Sequence, residues 1–391
     1  MEILPFQKRT WVEVDIEAIR NNFRTIKGSV SDRKVCCVIK ANAYGHGAVP
    51  LARIYESEGA DYFAVSNVEE ALQLRDYGIA SPILVLGYTD PRCAGLLAEN
   101  DVTQCVFSKE FGEKLAECAV REKVSLKVHL KIDTVMGRLG FRCLGADLSE
   151  LVDAMEIMKS ANLEPEGIFT HFARADEGIG GREYTDYQYN NFCRALDFFN
   201  QNGVDFELIH CANSAAICDY PKTRFNMVRA GIILYGLNPS TEIENPLNLT
   251  QALTMKTVID NIKTVVAGDR ISYGGEFAAN HDMKIATVPI GYADGFYRSN
   301  SRNGTLVEVE GEFVPIVGRI CMDQCMLDVT DVGKAHVGSE VIVYGTSENN
   351  SPDRIAANNG TINYEVLCSI GERVPRVYIE KGKVLKVDGN N

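Results

Sequence analysis

The chain has 391 residues, 46% of them hydrophobic and 24% charged, a balance typical of a folded globular protein. Its formal net charge of −13 is spread along the sequence and argues against a nucleic-acid partner. No run reaches the ~18 apolar residues of a bilayer span, and the first ten residues lack the apolar core of a signal peptide. We therefore expect a cytoplasmic protein with no membrane partner, large enough for two domains or for one barrel with an appendage.

The first predicted elements are a helix over 16–26, whose apolar residues share one face, and a buried strand over 35–39. Lys40 follows this strand and precedes the loop ANAYGHG, whose glycines allow the backbone to approach a ligand closely. A lone lysine at a strand end is most often a solvated cation. In this setting it can also lose its proton and form an imine with an aldehyde cofactor.

Seven further runs continue the pattern, and helical segments separate most of them. They cover residues 62–67, 82–88, 103–108, 125–133, 167–172, 206–214 and 226–236. Each is almost continuously apolar rather than alternating, which is typical of parallel strands covered by helices. The count of eight favours an α/β fold, a (β/α)8 barrel of the TIM type, over the alternative of an open doubly wound sheet.

In such a barrel the carboxyl ends of the strands carry the chemistry. Reactive residues and one glycine fall at these predicted ends: Lys40, Lys131, Arg138, His171, Asn213, Ser214, Arg229 and Gly231. One of them alone would be interpreted as a structural histidine or a surface cation. Their shared position predicts a single catalytic cluster.

Short alternating segments with hairpin turns replace the helical pattern after about residue 238. We predict a barrel domain over 1–240 and a mainly antiparallel β domain over 241–391, which the first ten or so residues can join. The tail VLKVDGN predicts a final strand. Twelve cysteines in a chain without an export signal are expected to be reduced, and Cys36 and Cys37 to be core residues. No cysteine or histidine spacing matches a zinc site, so no metal is predicted.

A series of motifs resembles those of alanine racemases. In chain order they are VIKANAYGHG, KIDTVMGRLGF, THFARADE, HCANSAA, RAGIILYG, ISYGGEF, PIGYADGF, GRICMDQ and RVPRVY. The resemblance extends from TWVEVD at 10–15 to Tyr378 and covers essentially the whole chain. It implies an isomerase that uses pyridoxal 5'-phosphate to interconvert L-alanine and D-alanine, with a barrel followed by a β domain. In bacteria this activity would supply D-alanine for peptidoglycan.

The resemblance also implies two catalytic residues. Lys40 would hold the cofactor as an aldimine and act as the base toward D-alanine, and Tyr273 would act toward L-alanine. Racemisation removes a proton from one face of a planar carbanion and returns it to the other, which requires two opposed groups. A tyrosine with an ordinary pKa near ~10 needs help to act as a base. The resemblance assigns this help to His171, backed by Arg229.

Arg229 would also face the pyridine nitrogen of the cofactor. Arginine does not readily give up a proton, so the ring nitrogen would stay unprotonated and side reactions would be discouraged. Arg138 would face the phenolic oxygen of the cofactor and the substrate carboxylate. The remaining cofactor-binding residues would be Tyr44, Asn213, Ser214, and the amides of Gly231 and Ile232 for the phosphate.

By the same resemblance the protein is a homodimer with shared active sites. Tyr273 and Met322 would come from the neighbouring subunit, and a narrow channel would admit a small amino acid. The supporting and channel residues would be Lys131, Asp176, Tyr292, Arg298, Arg319, Asp323 and Glu372. For Tyr292 and Asp323, a hydrogen-bonded core of the β domain is an equal alternative.

Three positions need separate comment. Glu372 stands where the family often has tyrosine, so we expect its side chain to turn away from the phosphate or to pair with a cation such as Arg373. The lost aromatic wall leaves a serine or broader-specificity racemase as an alternative. Val135 stands where the family often has glycine, and little consequence is expected. Lys131 is often carbamylated in relatives, and the resulting anion would orient Arg138.

Two rival classes were weighed against this interpretation. A non-catalytic pyridoxal-phosphate-binding barrel would lack the β domain that ISYGG and CMDQ indicate. A related amino-acid decarboxylase would carry a carboxylate in place of Arg229, together with a catalytic cysteine and an acidic residue from the β domain. Neither pattern is evident in the sequence.

Overall fold

The protein is described by a computed structural model over residues 6–388, and the chain forms two compact units. The barrel unit consists of Arg20–Ala43 and Ala48–Thr250. Among the described residues, the sheet unit consists of 6–19, Tyr44–Gly47 and 251–388. The domain boundary expected between residues 240 and 241 stays a prediction.

Short β-strands occur in both units. In chain order they are β1 (Thr10–Asp15), β2 (Lys34–Val38), β3 (Tyr62–Val65), β4 (Ile83–Val85), β5 (Val102–Val106), β6 (Leu126–Asp133), β7 (Phe141–Arg142), β8 (Leu163–Phe169), β9 (Leu208–His210), β10 (Met227–Ala230), β11 (Leu253–Val258), β12 (Asn261–Val265), β13 (Arg270–Ile271), β14 (Phe277–Ala278), β15 (Met283–Val288), β16 (Leu306–Val309), β17 (Glu312–Val317), β18 (Cys325–Asp328), β19 (Glu340–Tyr344), β20 (Arg376–Glu380) and β21 (Lys383–Asp388).

The helices lie mainly in the barrel unit. They are α1 (Ile16–Ser29), α2 (Lys40–Tyr44), α3 (Ala48–Ser57), α4 (Val68–Asp76), α5 (Ala94–Glu99), α6 (Lys109–Glu122), α7 (Ser149–Met158), α8 (Gly178–Gln201), α9 (Ser214–Asp219), α10 (Pro352–Asn359) and α11 (Asn363–Cys368). The helix expected over 16–26 is confirmed as α1. Within residues 6–388, no helix is both long and apolar enough to cross a membrane.

Eight parallel strands form the barrel, in the hydrogen-bonded order β10, β2, β3, β4, β5, β6, β8 and β9. The backbone N–H of Arg229 donates to the carbonyl of Ala212 at 2.9 Å, so the segment after β9 meets β10 and the barrel is nearly closed. The predicted (β/α)8 fold is confirmed. Strand β8 begins at Leu163, earlier than expected, and the two-residue β7 was not expected.

Burial explains why the barrel strands could be recognised. All residues of β3 and β5 are buried, because helices cover the sheet on one side and other barrel side chains fill it on the other. Cys36 and Cys37 in β2 are fully buried, which confirms them as core residues.

The sheet unit contains a ten-stranded sheet in the order β12, β15, β18, β17, β16, β19, β11, β1, β20 and β21. Its neighbours are antiparallel except β1 and β20, so the expected mainly antiparallel β domain is confirmed. Strand β1 lies between β11 and β20 and brings the start of the chain into this sheet. The expected final strand is β21 as far as Asp388, and residues 389–391 lie outside the described part of the chain.

Candidate active site

Lys40 opens a left-handed turn beyond the carboxyl end of β2. Residues 41–44 all have φ angles between 51° and 53°. For L-amino acids this conformation costs roughly 1–2 kcal/mol per residue. The N–H of Ala43 donates to the carbonyl of Ile39 at 2.9 Å and closes the turn. Strain at the point where a reactive amine is presented is typical of a functional site.

Residues of the sheet unit hold the segment that follows, Tyr44–Gly47. The buried guanidinium of Arg376 donates from Nε to the carbonyl of Gly45 at 2.9 Å. The hydroxyl of Tyr378 donates to the carbonyl of His46 at 3.0 Å. Gly47 has a φ of 98°, and a Cβ atom there would lie 1.8 Å from the Tyr378 hydroxyl oxygen. We call these two hydrogen bonds the clamp on residues 44–47. A larger residue at Gly47 would displace the Tyr378 hydroxyl and weaken the clamp.

Arg229 lies in β10 with 4% of its surface exposed. One terminal nitrogen, NH1, donates to Nδ1 and to the carbonyl of His210, at 2.9 and 3.0 Å. The other, NH2, donates to the carbonyl of Thr170 at 2.8 Å and to Nδ1 of His171 at 3.2 Å. An arginine has five N–H groups, so these bonds leave the Nε–H as the donor for a ligand.

His171 is a partly buried imidazole held by Arg229. Because its Nδ1 accepts from a guanidinium, the proton of the neutral ring lies on Nε2. Burial, followed by repulsion from Arg229 and Lys131, holds the pKa of His171 well below its ordinary value. The ring is therefore neutral at physiological pH and can donate from Nε2.

Lys131 is a buried amine in β6. Its Nζ lies 4.5 Å from the centroid of the Phe169 ring, and the guanidinium carbon of Arg229 lies 5.3 Å from the same centroid. Burial lowers the pKa of Lys131 to about 7, with further lowering from Arg229 and Arg138. A substantial fraction of this amine is therefore neutral near pH 7.

Arg138 is exposed at the end of a short loop that the carboxylate of Asp133 organises. This carboxylate accepts from the N–H groups of Val135, Met136 and Gly137 at 2.8 to 3.1 Å. Val135 has a φ of 90°, which is strained for a β-branched residue. The loop that presents Arg138 carries this strain, and the expectation that valine here has little consequence stays a prediction.

The residues expected near the cofactor phosphate lie where β9 and β10 end. The hydroxyl of the buried Ser214 accepts from the N–H of Gly231 at 2.9 Å. The side chain of Asn213 accepts from the N–H of Ala216 at 3.0 Å and caps α9. Ile232 is fully buried beside Gly231. The structure thus brings these four predicted residues together.

Tyr273 belongs to the sheet unit, and 68% of its surface is exposed. Its turn includes Ser272, Gly274 and Gly275, which have φ angles of 65°, 75° and 54°. The hydroxyl of Ser272 donates to the carbonyl of Arg319 at 2.6 Å and ties the turn to the segment before Met322.

Met322 and Tyr292 lie on paired segments of the same unit. The N–H of Tyr292 donates to the carbonyl of Cys321, and that of Ala293 to the carbonyl of Met322, each at 3.1 Å. The surface of Met322 is 54% exposed and that of Tyr292 is 44% exposed. A buried core role for Tyr292 is therefore wrong. Three loops of the sheet unit thus present exposed side chains that the sequence assigned to the site.

Arg373 joins two aspartates and not Glu372. It donates to Asp294 and to Asp323, each at 2.8 Å, and the fully buried Asp294 also accepts from Arg9 at 2.9 Å. Of the two alternatives expected for Glu372, pairing with Arg373 is not observed. The side chain of Glu372 is exposed, and its turning away from the phosphate stays a prediction. The buried Asp294 was not recognised from the sequence, although it lies in the motif PIGYADGF.

The other channel candidates lie in different environments. Arg298 is exposed, and Arg319 pairs with Glu276. Asp176 is partly buried in the barrel unit, and burial raises the pKa of its carboxyl. Within residues 6–388, no group of three or more His, Cys, Asp or Glu side chains could hold a metal ion.

Sequence reasoning missed three polar residues of the barrel, the buried His129 and His210 and the partly buried Glu166. Each contacts another of the three, and His210 contacts Arg229. Their signal was present, because histidine and glutamate are seldom buried within otherwise apolar strands. They were overlooked because only the strand ends were searched for reactive residues.

Comparisons with known proteins agree with this arrangement. The profile described as "Alanine racemase, N-terminal domain" matches residues 14–239, and that described as "Alanine racemase, C-terminal domain" matches residues 252–378. The chain is 46% identical to alanine racemase 2 of Caldanaerobacter subterraneus over 97% of both chains. It is 43% identical to alanine racemase of Desulfovibrio desulfuricans over 97% of this chain and all of the other.

Two solved structures are also similar. The alanine racemase of Clostridium difficile 630 in complex with cycloserine has a TM-score of 0.91 at 41% identity, covering 100% of this chain and 99% of the other. The alanine racemase of Bacillus anthracis with bound L-Ala-P has a TM-score of 0.92 at 42% identity, covering 99% of each chain.

Proposed function

Since the chain belongs to the alanine racemase family of pyridoxal-phosphate-dependent isomerases, we propose that Lys40 and Tyr273 are the two bases with which it interconverts L-alanine and D-alanine. Relatives at 40 to 46% identity over nearly the full chain are alanine racemases. They support this activity and neither a serine racemase nor a non-catalytic cofactor-binding protein.

The observation that carries the proposal is the N–H count of Arg229. Its terminal nitrogens are engaged with His210, Thr170 and His171, so the Nε–H is the donor that remains for the ring nitrogen of the cofactor. When bound, pyridoxal phosphate supplies an aldehyde that condenses with an amine and a ring that spreads the charge left at Cα. Arg229 keeps its own proton, which limits this spreading and favours rapid return of a proton to Cα.

Lys40 and the partner subunit's Tyr273 act on opposite faces of the substrate. Lys40 is presented by a strained, hydrogen-bonded turn, which supports a fixed position for its Nζ. The neutral His171 can donate from Nε2 to the tyrosine oxygen and stabilise it when it has lost its proton. The exposure of Tyr273 and Met322 supports a homodimer in which both reach a second protomer.

The remaining proposed residues bind and admit the ligands. Ser214, Tyr44, Asn213 and the amides of Gly231 and Ile232 would hold the phosphate. Arg138 would hold the substrate carboxylate on the loop that Asp133 organises. Access for a small amino acid would be lined by Asp176, Tyr292, Arg298, Arg319, Asp323 and Glu372. We further propose a cytoplasmic enzyme whose D-alanine enters peptidoglycan.

Lys131 is proposed to be carbamylated. Carbamylation requires a neutral amine, and the pKa of about 7 supplies one. The product is an anion that would attract Arg138. Intact mass spectrometry of protein equilibrated with bicarbonate at pH 6 and pH 8.5 should show more of the carbon dioxide adduct at the higher pH. A Lys131→Met variant is the control, and equal adduct in both proteins would contradict the assignment.

The two-base proposal is tested by exchange of the α-proton in deuterated buffer. Lys40→Ala should lose exchange with both alanine enantiomers, while Tyr273→Phe should lose exchange with L-alanine far more than with D-alanine. Tyr88→Phe is the control, because Tyr88 is 62% exposed and lies in the barrel unit outside the proposed site. Racemisation by Tyr273→Phe at the wild-type rate would overturn the role of Tyr273.

A further inference from the structure

A chain of hydrogen bonds runs from the buried Arg229 through the barrel interior to the partly buried Glu166. NH1 of Arg229 lies 2.9 Å from Nδ1 of His210, and Nε2 of His210 lies 2.9 Å from Nδ1 of His129. Nε2 of His129 lies 2.9 Å from Oε2 of Glu166. The hydroxyl of Tyr62 donates to the same carboxylate oxygen at 2.7 Å. We call these five residues the Arg229–Glu166 chain.

The two ends of the Arg229–Glu166 chain determine where its protons lie. A guanidinium can only donate, so Nδ1 of His210 must accept and carries no proton. The proton of neutral His210 is then on Nε2, and it is donated to Nδ1 of His129. Neutral His129 therefore carries its proton on Nε2 and donates it to Glu166, which as a carboxylate can only accept.

The other proton arrangements fail. If His129 carried a proton on Nδ1, Nε2 of His210 would have to accept it. His210 would then accept at both ring nitrogens and carry no proton, which a neutral imidazole cannot do. A protonated Glu166 that donated to a neutral His129 would lead to the same result. Only one order of protons satisfies all three bonds, and every proton points from Arg229 toward Glu166.

Two further observations agree with this order. Burial lowers the pKa of His129 and holds that of His210 well below its ordinary value, so both rings are neutral. Burial raises the pKa of Glu166, but bonds from His129 and Tyr62 outweigh it, so the carboxyl stays ionised. Gly167 leaves the space that the ring of His129 occupies, because a Cβ atom on Gly167 would lie 2.7 Å from this ring.

We propose that Glu166 is a positioning residue for Arg229. Its oxygen accepts the proton of His129, which fixes the tautomers of both imidazoles and keeps Nδ1 of His210 as a permanent acceptor for NH1. The guanidinium is thereby held so that NH2 reaches His171 and the Nε–H faces the ligand. The inference rests on the proposed role of Arg229, but the proton order can be tested without it.

The first test is a joint neutron and X-ray structure of the wild-type holoenzyme after deuterium exchange. Deuterium should appear on Nε2 of His129 and of His210, and Nδ1 of both rings should carry none. Deuterium on either Nδ1, or on both nitrogens of one ring, would overturn the proposal. This result depends on no variant and on no measurement of activity, so it stands even if Tyr273 proves not to be the second base.

The second test compares Glu166→Gln with Glu166→Leu. Glutamine can keep its amide oxygen at the position that accepts from both His129 and Tyr62, so it should retain kcat within roughly threefold. Leucine removes the acceptor and leaves the Nε2–H of His129 unpaired, so it should lower kcat roughly tenfold or more, with KM for alanine nearly unchanged. The cofactor absorbance spectrum should shift in the leucine variant and not in the glutamine variant.

Tyr62→Phe is the graded comparison, because it removes one donor to Glu166 and leaves the bond to His129 intact. It should lower kcat less than Glu166→Leu does, because the acceptor for His129 remains. Wild-type kinetics in Glu166→Leu would overturn the proposal. So would a glutamine variant as impaired as the leucine variant, since negative charge rather than the accepting oxygen would then be responsible.

Discussion

The barrel unit and the sheet unit present their candidate catalytic residues in opposite ways. In the barrel unit, Arg229 is 4% exposed and its terminal nitrogens are fully engaged by strand-end acceptors. In the sheet unit, Tyr273 and Met322 are 68% and 54% exposed. The difference teaches that the barrel unit fixes its candidate residue through its own hydrogen bonds, whereas the sheet unit presents its candidates on exposed turns.

The largest expected effect of this difference is on the free energy of unfolding, and we expect it at Arg229 and not at Arg319. Arg229→Met leaves the acceptors on His210 and Thr170 without their donor, so it should lower the free energy of unfolding by about 3 kcal/mol or more. Arg319→Met removes only an exposed pair with Glu276 and should leave the unfolding midpoint nearly unchanged. Urea unfolding of both variants would test the comparison, and equal losses of unfolding free energy would contradict it.

A second prediction tests whether the sheet unit also depends on one buried charge. Burial raises the pKa of Asp294, but bonds from Arg9 and Arg373 outweigh it and the net pKa is lowered. Its stabilisation is therefore present above the unfolded pKa of ~3.9 and is lost as the pH falls through the lower folded pKa. Asp294→Asn should cost roughly 2 kcal/mol at pH 7, because one guanidinium then faces an amide donor.

The measurement for Asp294 is urea unfolding between pH 7 and pH 2.5. The difference between wild type and Asp294→Asn should narrow below about pH 4. Asp323→Asn is the control, because the side chain of Asp323 is 55% exposed. A difference for Asp294→Asn that is independent of pH would show that the charge of this carboxylate is not responsible.

The smallest expected effect concerns the free energy of unfolding and the backbone strain at Val135. Val135→Gly should raise the free energy of unfolding by about 1 kcal/mol, because glycine adopts the observed φ of 90° without strain. Val135→Ala keeps a Cβ atom and should gain less. Thermal unfolding of both variants is the measurement. A glycine variant less stable than the wild type would show that the contacts of the valine side chain stabilise the loop more than its backbone strain destabilises it.

The barrel could be predicted from the sequence because its strands are apolar on both faces. Runs such as YFAVSN and TQCVFS became β3 and β5, and the residues at strand ends, among them His171, Ser214 and Arg229, lie where the pattern placed them. The candidate site residues could be predicted in the same way, because a parallel barrel brings the carboxyl ends of all its strands to one side.

Other features depended on contacts that no local pattern reveals. The left-handed turn over 41–44 is made of alanine, asparagine and tyrosine, and only asparagine has some preference for positive φ. The N–H of Ala41 donates to the carboxylate of Glu70, a partner 29 positions along the chain, at 2.7 Å. The order of protons between Arg229 and Glu166 likewise needs the positions of both histidines. The partners of Arg373 could not be predicted, because Asp294 and Asp323 reach it from elsewhere in the chain.

The clamp on residues 44–47 has a consequence for synthesis of the protein. The bond from Arg376 to Gly45 spans 331 positions, and that from Tyr378 to His46 spans 332. A ribosome must therefore have made the chain beyond Tyr378 before the loop that follows Lys40 can acquire both supports. Nascent chains that stop before Arg376 lack the clamp, so this loop is one of the last segments to be fixed among the residues described.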